Sequence, residues 1–157
     1  MTYNQSTLRQ IVNITQGIRV DTAPIAAGGA TRKVLFNVVG GECIITNLVG
    51  VVTTLIGAGA TNVHWDTDPT AGTDVNLSAG AGTAIANREA GGYISVTGVF
   101  ADNAPIWNAG AGETQTSPFI VSPGTIGMVM SADCGAGAIR YSIWYIPADP
   151  GAYIEAA

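Results

Sequence analysis

Charged side chains make up only 11% of this 157-residue chain, and the balance is acidic, at a formal net charge of −5. Nucleic acids and anionic membranes are held by clustered cations, whereas Lys33 is the only lysine and Arg32 its only basic neighbour, so neither partner is expected. The length fits one domain with a real core, and no apolar run is long enough for a membrane-spanning helix.

A globular domain typically carries about 25% charge. A chain this poor in ionised groups is expected to cover much of its exterior with other subunits. The start, Met1-Thr2-Tyr3-Asn4-Gln5-Ser6, is polar and lacks the basic and apolar regions of a secretion signal. Cys43 and Cys134 stand far apart and form no CxxC; they can pair or stay free, and without a secretion signal free thiols are expected.

Residues 1–30 show poor periodicity. They read as an extended N-terminal arm with isolated apolar anchors (Leu8, Ile11, Val12, Ile14, Ile18), able to order on a neighbour. A first strand of the sheet is the alternative. Ser6–Ile18 is a poor helix because of its β-branched residues and late glycine.

From residue 31 to 157 short β-rich runs alternate with glycine clusters, the pattern of a β-sandwich or barrel. Lys33–Val39 leads through Gly40-Gly41 into Glu42–Ile56, and a two-residue glycine link predicts a hairpin. The second run is long for a flat strand, so Gly50 is expected to be a bulge or bend. Asn62–Thr67 and Asp74–Ser78 flank the turn-like Asp68-Pro69-Thr70-Ala71-Gly72. Ala84–Ala90 suits at most one short helical turn. Tyr93–Phe100, Thr125–Ser131 and Ile139–Ile146 alternate with period two, placing Ile126, Met128 and Met130, and Ile139, Tyr141, Ile143 and Tyr145, on core-facing sides. The terminal Ile146–Ala157 suggests a short contact tail.

Candidate chemistry is sparse. His64, Asp66, Asp68 and Asp74 share one stretch, and three carboxylates near Gly72 loosely suggest a cation loop. An EF-hand, however, needs its glycine earlier and a closing glutamate; the hairpin reading is preferred. His64 has no recognisable nucleophile beside it, and alternation points it away from Trp65. The glycine runs Gly57–Thr61, Gly80–Ala84 and Gly110–Thr114 lack the lysine and following helix of a phosphate loop, so they read as flexible loop tips. Glu42, Glu89 and Glu113 offer no glycosidase pair. Trp65, Trp107 and Trp144, with Tyr141 and Tyr145, can form a sugar platform, although strand aromatics are more often core or interface. No catalytic residue, metal ligand or cofactor is assigned, and the chain is not read as an enzyme.

Three stretches carry a family likeness: Asp68–Ala79, Arg88–Phe100 and Val121–Ile154. Together they resemble small virion proteins of tailed bacteriophages. The resemblance implies an all-β fold, a β-sandwich of jelly-roll or related type with an extended N-terminal arm. It implies a capsid decoration (cement) protein that binds and stabilises the phage head. Its expected partners are the major capsid protein and its own copies, as a homo-oligomer, with a trimer expected from such proteins. It would stand on the capsid surface of the virion after synthesis in the host bacterial cytoplasm. The alternatives are a tail, neck or receptor-binding component, and a carbohydrate-binding module.

Overall fold

The computed structural model describes residues 15–157. The anchors Leu8, Ile11, Val12 and Ile14 of the expected arm lie outside the described residues. Along the chain the strands are β1 (Ile18–Asp21), β2 (Ile25–Ala26), β3 (Arg32–Val39), β4 (Cys43–Thr54), β5 (Asn62–Pro69), β6 (Val75–Asn76) and β7 (Thr83–Ala84). They continue as β8 (Tyr93–Ser95), β9 (Ile106–Trp107), β10 (Phe119–Val121), β11 (Gly124–Met130), β12 (Ala138–Pro147) and β13 (Tyr153–Ala156).

Two antiparallel sheets face each other across one core, which makes the protein an all-β sandwich, as its period-two alternation predicts. The first sheet runs β1-β12-β4-β8-β9, with β2 also on β12 and β10 also on β4. The second runs β13-β3-β11-β5-β6, with β7 also on β5. Ile126, Met128 and Met130 point inward from one sheet. Ile139, Tyr141, Ile143 and Tyr145 point inward from the other. Between them lie Phe36, Leu48, Trp65 and Ile94, all without solvent exposure.

Of the two readings open for the first thirty residues, the strand describes Ile18–Asp21, which pairs with Ser142–Tyr145 on β12.

Gly40-Gly41 does not turn a hairpin. It carries the chain from β3 in one sheet to β4 in the other. The β12–β13 connection makes the reverse crossing beside it, so close that a Cβ on Gly40 would lie 2.6 Å from the Gly151 carbonyl oxygen. Gly40 also holds φ at 80°, where a side chain is strained. The Glu42 backbone N–H donates to the Asp149 carboxylate at 2.8 Å and ties the two crossings together.

β4 is one continuous strand, and Gly50 is not its bulge. The β12 register skips Thr46 and Thr53 instead. Gly50 sits in register opposite Tyr141 and Ile94. A Cβ there would come within 3.1 Å of the Tyr141 ring, so the glycine makes room for the aromatic. Ala84–Ala90 is not helical: Ala84 ends β7 and turns follow, with Asn87 at φ 58°. The terminal segment is β13, paired to β3 with Ile154 in the core, rather than a free contact tail. Gly57–Thr61 is packed rather than a loose tip. Its Gly57 N–H donates to Ala136 at 3.0 Å, and the Thr61 hydroxyl donates to Ala132 at 2.8 Å.

Both cysteines are free and buried. Burial, then the nearby Asp149 carboxylate, pushes the Cys43 thiol up. Cys134 Sγ donates to the carbonyls of Ala27 and Ala136. The folded protein is therefore expected to leave a thiol-reactive disulfide reagent almost unconsumed, and to release two equivalents on denaturation. Rapid reaction of either thiol in buffer would contradict this burial.

Candidate functional site

The stretch from His64 to Asp74 forms the β5–β6 hairpin, with Asp66 opposite Asn76 and Thr67 opposite Val75. Its carboxylates are put to different uses. Asp66 is buried, at 7% exposure, and both of its oxygens accept from Arg32 Nε, at 2.9 and 2.8 Å. That pair reaches across β11 from β5 to β3, and it passes over Gly127, where a Cβ would sit 2.8 Å from Asp66 Oδ1. Asp68 and Asp74 stay exposed. Among the described residues no three His, Cys, Asp or Glu side chains converge as a metal set. His64 lies on the outward side of β5, half-buried opposite Val129.

The tryptophans also separate. Trp65 is a core residue, packed edge-on against Tyr141 with ring centroids 5.6 Å apart. It is therefore unavailable as a sugar platform. Trp107 and Trp144 lie half-buried on the outward face of the first sheet. Arg19, opposite Trp144 on β1, holds its guanidinium 4.9 Å from the Trp144 ring centre. Arg19 is also paired to Asp21 at 2.9 Å. Partial burial alone would raise the Asp21 carboxyl, but hydrogen bonds from Ser142 and Arg19 outweigh it and hold that carboxyl below its ordinary range.

Elsewhere the exterior is greasy. Val75, Phe100 and Ile120 line one depression of ≈ 160 Å³ with Thr67, Pro69 and Leu77. Ile120 is 60% exposed, and Val75 and Phe100 are also open to solvent. Phe100 stacks edge-on with Phe119 at 5.4 Å, which anchors the patch to the core. Among the described residues β10 pairs only with β4, and β6 only with β5, so within them each keeps one unpaired edge. The depression thus lies between a free edge of one sheet and a free edge of the other. The sequence signal for it was the alternation in Phe119-Ile120-Val121, which sends Ile120 outward between two buried neighbours.

The fold and its surface define a small β-sandwich with an open apolar mouth between its sheets. No protein-family model, curated protein or solved structure matches the chain.

Proposed function

We propose that this chain is a structural, assembly-forming virion protein, a capsid decoration (cement) protein standing on a tailed-phage head. The observation that carries the reading is the Val75–Phe100–Ile120 depression, held open to solvent on a chain with 11% charge. Exposed apolar faces of this kind mark association sites. The occupant we assign to it is a second copy of the chain. Free edges of β6 and β10 flank it, and a symmetric oligomer covers such edges by repeating one contact. The family likeness of Asp68–Ala79, Arg88–Phe100 and Val121–Ile154 supports placing that oligomer on a capsid, against the major capsid protein.

Ile120→Asp tests the contact. Because Ile120 is already exposed, folding stability is expected to change by no more than about 0.5 kcal/mol. Light scattering should nonetheless show the wild-type oligomer reduced to monomer. Wild-type protein added to phage capsids lacking it should bind and raise their melting temperature, and the variant should not. A wild-type chain that stays monomeric at micromolar concentration and ignores the particles would sink the proposal.

A further inference from the structure

The outward face of the first sheet carries a second feature, unrelated to the apolar mouth. Residues 112–115 run across this face and form one wall of a groove. Gly112 lies against Tyr93 and Trp107, where a Cβ would meet both rings at 3.2–3.3 Å. Gln115 fastens the segment: its Nε2 donates to the carbonyls of Ile45 and Ser117, at 3.0 and 2.8 Å, and its backbone N–H donates to Asn47 Oδ1 at 3.4 Å. Trp144 forms the opposite wall. Tyr93, Glu113 and Thr114 face it across a floor of Asn47 and Val49, around a volume of ≈ 350 Å³. A neighbouring basin of ≈ 400 Å³ shares Asn47, Thr114 and Trp144 and continues the groove. Both volumes fall within the range of small-molecule sites, about 300–1,000 Å³.

We propose that this groove binds a neutral oligosaccharide, with Trp144 and Tyr93 as the stacking walls. A pyranose ring presents C–H groups on its faces and hydroxyls around its edge, so it needs aromatic surface flanked by mixed donors and acceptors. The groove supplies both. Asn47 accepts from Gln115 through Oδ1, which leaves its amide NH2 as a donor. Glu113 is exposed and supplies acceptors that hydroxyl protons satisfy. The ligand is neutral because the cation beside Trp144 is already engaged: Arg19 pairs with Asp21 and lies over the indole. Glu113 and the net charge of −5 repel carboxylated, sulfated or phosphorylated sugars. A proline-rich peptide also stacks on aromatic grooves, but it offers mostly carbonyl acceptors, which Glu113 does not satisfy. This site is independent of the assembly contact, since it shares no residue with the Val75–Phe100–Ile120 depression.

The test is calorimetric titration of the full chain with maltohexaose, cellohexaose and chitohexaose, with a proline-rich peptide alongside. Saturable binding of at least one saccharide is expected. Trp144→Ala should weaken it about tenfold or more, because losing one stacked aromatic removes on the order of 1.4 kcal/mol. The variant's unfolding midpoint is measured in parallel. If Trp144→Ala fails to fold, Glu113→Ala decides in its place: weakened affinity supports the site and unchanged affinity overturns it. The proposal is also overturned if no saccharide binds, if only the peptide binds, or if folded Trp144→Ala binds as tightly as wild type.

Discussion

Trp65→Ala is expected to lower the free energy of unfolding by about 4 kcal/mol, within the range of ~3–5 kcal/mol for deleting a large buried aromatic. The side chain has no solvent exposure and sits where the two sheets meet, edge-on to Tyr141. Tyr141 is pinned in turn, with its hydroxyl donating to Met128 Sδ at 3.3 Å and Gly50 clearing space beside its ring. The surroundings therefore have little freedom to collapse into the gap. Because domains of this kind are stable by only about 5–15 kcal/mol, the variant should sit near the edge of folding at 37 °C. Trp65→Phe should cost less than its lost volume suggests. The indole N–H is buried without a hydrogen-bond partner among the described residues, and phenylalanine removes that unsatisfied donor. Urea titrations followed by circular dichroism measure both. A loss below about 1.5 kcal/mol for Trp65→Ala would mean that this ring is not the keystone between the sheets.

What the sequence displayed was whatever depends on one strand at a time. In β11 and β12 a buried face and an outward face impose period two, so the inward set from Ile126 to Met130 and from Ile139 to Tyr145 was legible without partners. What it hid depends on which strands meet. Gly40-Gly41 has the local chemistry of a hairpin, but β3 and β4 find better partners in opposite sheets, and only the pairing of β13 with β3 and of β12 with β4 reveals that. Gly50 looks like a bulge in isolation; its reason is the Tyr141 ring on the neighbouring strand. Asp66 read as a hairpin carboxylate with only a loose likeness to a cation ligand, and its ion pair was hidden because the counter-ion lies 34 residues earlier and two strands away. Ile120 belonged to no motif, since an outward isoleucine is unremarkable until Val75 and Phe100 are brought beside it.

Arg32→Ala is expected to cost about 3 kcal/mol, at the lower end of the ~3–5 kcal/mol for breaking a buried ion pair from one side. The size follows from asymmetry. The Arg32 and Asp66 side chains are 23% and 9% exposed, so removing the guanidinium strands a carboxylate that water reaches poorly. Arg32 also donates to the Thr125 carbonyl at 3.3 Å, which fixes it against β11. Asp66→Ala should cost less, because the longer, more exposed Arg32 can swing outward. The double variant should cost less than the sum, with a coupling above about 1 kcal/mol, more than exposed pairs give. Gly127→Ala attacks the same device from the strand between. Its Cβ would press on Asp66 Oδ1 at 2.8 Å and on Arg32 Cζ at 2.9 Å, and overpacking of that kind typically costs about 1–3 kcal/mol. In the Arg32→Ala/Asp66→Ala background that clash has no target, so the added methyl should become nearly neutral. Denaturant unfolding of these variants decides the matter. If Gly127→Ala is equally costly with and without the pair, then the glycine serves the backbone of β11, and the bridge across it is incidental.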